Sequence, residues 1–211
     1  ISNVDVGSAT VKLSEDGTYN LIIGAADMGT GCDTILAQMV AELMDCHVDD
    51  VAVFGADTDV SPYDSGSYAS STTYITGMAV VKACNELKKR ICTIAAEMMG
   101  CEEDAVEFAS TCVRRTGTEQ TVSLTDIAYK AQVFNTTPAE STATHSSPVS
   151  PPPYMVGMAE IELDRETGSV DVLNYTAVVD CGTAINPNLV KVQTEGEWVV
   201  EGLTDGVRSW L

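Results

Sequence analysis

The sequence predicts an α+β fold, with mixed β-sheets and helices packed on one face. Three observations carry this. Apolar residues alternate in short runs that end at Asp-Gly or Thr-Gly turns, the pattern of strands in hairpins. Between those runs stand stretches whose apolar residues recur at helical spacing. Read in order, the elements run ββαβα, then strands, a short helix and ββα. The chain therefore divides into two ββαβα-like halves, 1–100 and 101–211.

Each element has its own reason. Ser8–Leu13 and Tyr19–Gly24 alternate around a turn at Glu15-Asp16-Gly17, and Asp-Gly between alternating runs is a hairpin signal. Asp33 or Thr34 is placed to cap a helix in which Ile35, Leu36, Met39, Val40, Leu43 and Met44 form one stripe. Val51–Gly55 is a third strand. After the loop "TDVSPYDSGSYASS", Ala79, Ala83, Leu87, Ile91, Ile94 and Met98 mark a long helix that Gly100 ends. "AVEFASTCVRRTG" is strand-like, and "SLTDIAYKAQV" is a short helix capped by Ser123 or Thr125. "FNTTPAESTATHSSPVSPPP" is polar and proline-rich, so 135–153 is expected as an exposed, mobile excursion. A long hairpin then turns at Glu166-Thr167-Gly168, and a final helix has Pro187 in its first turn.

Composition narrows the function. A formal charge of −20 argues against a nucleic-acid partner, since phosphate neutralisation needs clustered Lys and Arg. The one cluster, Lys88 to Arg90, falls in the long helix and reads as a solvated face. No apolar run reaches the roughly 20 residues of a membrane span. The seven cysteines form no CxxC pair and only His47 and His145 accompany them, so neither a zinc nor an iron–sulfur cage is indicated. "DTDVSPYD" lacks the spacing of a calcium loop. Reduced, mostly buried thiols suit a cytoplasmic protein. The first and last residues read as cut ends, so the chain is expected to be a piece of a longer polypeptide.

Three stretches could carry chemistry. In "AADMGTGCDT", Gly29 and Gly31 stand where a strand hands over to a helix. That placement suits either a tight turn or an anion on the helix N-terminus. The junction is neither a Walker loop nor a full dinucleotide fingerprint. "DSGSYASSTTYITG" sets Ser65, Ser67, Ser70, Ser71, Thr72 and Thr73 before the long helix, either as a cap or as a neutral cradle for phosphate. "VVDCGTAINPNLVKVQTEG" is a strand–turn–helix with a cysteine, Cys181, that has no basic neighbour in sequence to activate it.

Taken together, "DMGTGCDTILAQMVAELM", "DTDVSPYDSGSYASSTTYITGMAVVKAC" and "AEIELDRETGSVDVLNYTAVVDCGTAINPNLVKVQTEG" resemble successive segments of one family. It is the large subunit of the molybdenum hydroxylases, the xanthine dehydrogenase and aldehyde oxidase family. The resemblance runs along nearly the whole chain and places it in the second molybdopterin-binding domain.

The resemblance implies a cofactor, molybdopterin, either as such or as its cytosine dinucleotide. Gly29, Thr30 and Gly31 match the loop that touches the pterin. Ala69, Ser70, Ser71 and Thr72 match the loop that holds the phosphates, and Gln193 matches a glutamine near the pterin or nucleotide. Many members have glutamine where Thr30 stands, so only backbone contacts carry over there. No catalytic or metal-ligating residue is carried over, because the family's C-terminal glutamate base has no counterpart here. Iron–sulfur clusters, FAD and the rest of the large subunit are implied on other domains or subunits. The whole enzyme would hydroxylate purines, other N-heterocycles or aldehydes with water, and this piece alone is expected to be inactive. A non-catalytic nucleotide- or phosphate-binding module and a structural interaction domain are the alternatives.

Overall fold

A computed structural model describes residues 4–67, 70–133, 138–149 and 151–204, with side chains up to residue 196. The chain forms two compact units, Ile1–Ser150 and Pro151–Leu211. The boundary expected near residue 100 lies inside the first of them.

The first unit is built on a mixed four-stranded sheet. Its strands are β1 (Val6–Leu13), β2 (Tyr19–Ile23), β3 (Val51–Gly55) and β7 (Glu140–Ser146), in the order β3-β2-β1-β7. β1 runs antiparallel to both β2 and β7, while β3 runs parallel to β2. The parallel pair needs a crossover, and α1 (Cys32–Met44) supplies it. The predicted alternation holds: Ala9, Val11, Leu13, Tyr19, Leu21 and Ile23 are buried together. Onto them pack Leu36, Val40 and Met44 of α1, and Ala79, Val80, Ala83, Leu87 and Ile91 of α2 (Thr72–Met99). Gly100 ends α2 in the left-handed conformation, φ 64°, as its place past the last turn predicted.

A second, antiparallel sheet of β4 (Val106–Ala109), β5 (Cys112–Arg115) and β6 (Thr121–Ser123) packs with α3 (Leu124–Val133) against α2. Ser123 caps α3: its hydroxyl accepts the Asp126 amide at 3.1 Å and donates to the Asp126 carboxylate at 2.6 Å. Lys88 is not on a free solvent face. Its ammonium stands 5.0 Å from the Phe108 ring centroid, packing α2 onto β4.

Residues 140–146 correct the expectation of an excursion over 135–153. They form β7, paired with β1 from Val6↔Ser146 to Lys12↔Glu140. The strand has no large apolar residue, which is why its own sequence does not announce it. It fits because β1 offers an open edge of matching character. Thr142 and Thr144 meet Thr10 and Ser8 directly across the ladder, with hydroxyls 2.7 and 2.9 Å apart. Such cross-strand hydroxyl pairs contribute about 0.2–1 kcal/mol each, and strand formation here follows partner more than propensity. Residues 135–137 and 150 lie outside the described residues.

The second unit holds the antiparallel hairpin β8 (Tyr154–Leu163) and β9 (Val170–Asp180), followed by α4 (Pro187–Thr204). The hairpin turns where expected, with Gly168 at φ 75°. Asn186 accepts the Leu189 amide at 3.2 Å, capping α4 just before Pro187.

Candidate functional site

The chemistry-bearing loops of the first unit gather at one end of its large sheet, and strand direction puts them there. The register sets Ala9 opposite Ile23 and Ile23 beside Gly55. The start of β1 and the ends of β2 and β3 therefore share that end. Each strand carries a glycine there, and each glycine receives a neighbouring segment. A Cβ added at Gly7 would stand 2.9 Å from the Cα of Thr76, in the second turn of α2. One at Gly24 would stand 2.7 Å from the Cβ of Asp64, in the loop that leads to α2. One at Gly55 would stand 3.2 Å from the carboxylate of Asp33, at the start of α1. Sequence reasoning singled out Gly29 and Gly31 and passed over these three. The available signal was a glycine at the end of a strand run, which marks close approach by another segment.

Gly29 and Gly31 hold left-handed backbone, φ 96° and 77°, a conformation open to glycine at little cost. Gly31, rather than Asp33 or Thr34, is the N-cap of α1, and it makes no side-chain cap bond. Asp27 supplies the missing acceptor. Its Oδ1 takes the Gly29 amide at 2.8 Å and the Gly31 amide at 3.1 Å. Partial burial pushes the Asp27 carboxyl up, but the Gly29, Gly31, Asp33 and Thr30 amides outweigh it and hold the group below its ordinary value. Thr30 is exposed at the tip. Thus two of the amides expected to face a ligand are bonded to the chain's own carboxylate.

Behind this turn, Cys32 is buried and 3.6 Å from Asp33 Oδ1. Burial, then the Asp33 and Asp27 charges, pushes its thiol up to about 12. A thiol so disfavoured as thiolate is no nucleophile. Among the described residues, Asp27, Cys32 and Asp33 are the one group of three or more acidic, cysteine or histidine ligand atoms that gather within 4.8 Å.

The second loop sorts its hydroxyls into two kinds. Ser65 is structural: its hydroxyl accepts the Val6 amide at 3.0 Å, and its amide donates to the Val6 carbonyl at 2.8 Å. Asp64 accepts from the Gly66 amide and from the Thr76 hydroxyl, each at 2.9 Å, which fixes the loop to α2. Ser67 is different. Its hydroxyl oxygen is buried with no partner among the described residues, and an unsatisfied buried polar atom costs about 1–3 kcal/mol. Ser70 adopts φ 55°, which costs a non-glycine residue roughly 1–2 kcal/mol. Ser71 is the N-cap of α2, buried, with no side-chain cap bond, and the first turn from Thr72 holds no acidic residue. Strain, an orphaned hydroxyl and an acid-free helix start fit a phosphate-bearing group. Ala69 lies outside the described residues. Gln193 is exposed on α4 of the second unit, and Cys181 is exposed after β9.

Residues 2–203 match the family described as "Molybdopterin cofactor-binding domain". The chain is 35% identical over 199 residues to "Probable hypoxanthine oxidase XdhD" of Escherichia coli K12, covering 93% of this chain and 20% of that protein. It is 31% identical over 201 residues to the xanthine dehydrogenase molybdenum-binding subunit of Escherichia coli O157:H7, covering 92% and 26%. Its fold matches the reconstituted CO dehydrogenase from Oligotropha carboxidovorans with a TM-score of 0.73 at 27% identity, over 90% of this chain and 24% of that one. The chain thus spans between a fifth and about a quarter of the length of these relatives.

Proposed function

The chain belongs to the molybdopterin cofactor-binding domain family, and we propose that it is the cofactor-holding part of a cytoplasmic molybdenum hydroxylase large subunit. The observation that carries this is the gathering of two helix starts at one glycine-lined sheet end, with the Ser67 hydroxyl buried and unpartnered among the described residues. Thr30, between Gly29 and Gly31, faces the pterin. Ser70, Ser71 and Thr72, with Ala69, hold its phosphates through hydroxyls and the amides of the α2 start. A neutral grip of dipoles suits a site in a chain of charge −20.

When bound, the molybdenum centre supplies the two-electron oxidation of a carbon centre, with water as the oxygen source. This chain's residues bind and orient. The substrate is a purine, another N-heterocycle or an aldehyde, and the cofactor is molybdopterin or its cytosine dinucleotide. Iron–sulfur and flavin domains or subunits accept the electrons. No helix among the described residues is long and apolar enough to cross a membrane. Seven free thiols agree with a reducing compartment.

The test is molybdenum and pterin retained per purified complete large subunit. Gly31→Val should lose most of the cofactor, because a β-branched residue cannot hold φ 77°. Ser67→Ala and Ser70→Ala should lose part. Lys89→Ala, whose side chain is 77% exposed, should retain a full complement. Full retention by Gly31→Val alongside loss in Lys89→Ala would overturn the proposal.

A further inference from the structure

We propose that Asp27 is a specificity-determining residue: its carboxylate fills amide donors at the start of α1, so the anionic end of a ligand goes to α2 and the Gly29–Gly31 turn receives a neutral group. This rests on the phosphate-bearing ligand proposed above. The two helix starts share the glycine-lined end of the sheet but differ in charge. At α1, Asp27 Oδ1 accepts from Gly29 at 2.8 Å and Gly31 at 3.1 Å, and Asp33 follows in the first turn. An incoming anion would find those donors taken and two carboxylates beside it. At α2 the first turn holds no acid, Ser71 makes no cap bond, and the Ser67 hydroxyl is unpartnered among the described residues. The nearby carboxylate, Asp64, already accepts from the Gly66 amide and the Thr76 hydroxyl.

The grip of Asp27 also accounts for the glycine pair without a ligand pressed against it. A Cβ at Gly29 would meet nothing within 4 Å, so the requirement there is φ 96° rather than space. Closing two amides onto one carboxylate oxygen bends the backbone into that region. The group left facing outward is the exposed Thr30 side chain, a hydroxyl able to donate to or accept from an uncharged polar edge.

The experiment titrates the isotope-labelled 211-residue chain with inorganic phosphate and follows backbone amide shifts. In the wild type, amides from Ser71 to Tyr74 should move while Gly29 and Gly31 stay still. In Asp27→Ala, Gly29 and Gly31 should respond, with half-saturation about tenfold below any wild-type response, as the loss of one charged acceptor implies. Asp27→Asn, which keeps an acceptor and drops the charge, should fall between and guards against misfolding of the alanine variant. Movement of Gly29 and Gly31 in step with α2 in the wild type overturns the inference, as does their silence in both variants. Silence at α2 with Gly29 and Gly31 opened by Asp27→Ala would instead sink the phosphate reading of α2 and leave the blocking role of Asp27 standing.

Discussion

Gly24→Ala tests whether the two loops are held together through the end of β2. The added Cβ would press on the Pro62 carbonyl oxygen and stand 2.7 Å from the Asp64 Cβ and 3.1 Å from the Asp64 amide nitrogen. Two of these three neighbours are backbone atoms, which no side-chain rotation can clear. Asp64 itself is pinned by the Gly66 amide and the Thr76 hydroxyl. Overpacking of this kind costs about 1–3 kcal/mol, and the pinned neighbours put the cost in the upper part of that range. With a urea slope of about 2 kcal/mol per molar, the unfolding midpoint should fall by roughly 1–1.5 M. Gly29→Ala is the contrast. It meets nothing within 4 Å and bears only the left-handed strain of φ 96°, about 1–2 kcal/mol. Because Asp64 leads into α2, Gly24→Ala should also weaken phosphate binding at Ser71–Tyr74, whereas Gly29→Ala should leave that response in place. A Gly24→Ala midpoint indistinguishable from wild type would refute the close approach.

Lys88→Ala should cost about 0.5–1 kcal/mol through the lost contact over Phe108, and Lys89→Ala close to nothing; equal midpoints in urea would count against the contact. In hydrogen exchange, the ladder amides of 140–146 should be protected together with those of β1, and exchange at the rate of an unstructured peptide would remove β7 from the sheet. Iodoacetamide at pH 8 should modify exposed Cys181 first and Cys32 and Cys84 last, since burial pushes both of the latter thiols up to about 12. Early labelling of Cys84 by mass spectrometry would contradict its burial on the core face of α2.

Elements with strong local periodicity were legible in the sequence. The Asp16-Gly17 hairpin, the stripe of α1, that of α2 from Ala79 to Ile94 and the glycine that ends α2 all follow from spacing and turn chemistry, while at the end of α2 Met99 is buried in place of the expected Met98. β7 was not legible, because Thr142 and Thr144 acquire meaning only against Thr10 and Ser8. The site was half legible. Hydroxyls before α2 and glycines before α1 stood out by type, but Ser65 and Ser67 cannot be told apart until one is seen bonded to Val6 and the other to nothing described. Asp27 was hidden for another reason. A capping acceptor is sought at or just before the first helical residue, and this one reaches Gly31 from four positions upstream.

The pairing of β1 with β7 also sets a timetable. Ser8 and Thr144 lie 136 positions apart, so the sheet that carries the candidate site stays incomplete until β7 has been synthesised. At roughly 5–20 residues per second, β1 waits on the order of ten seconds with one edge open. Open strand edges recruit wrong partners. The hydroxyls of Ser8 and Thr10, which later meet Thr144 and Thr142, then have a second value: they give the waiting edge of β1 little apolar surface to offer a wrong partner.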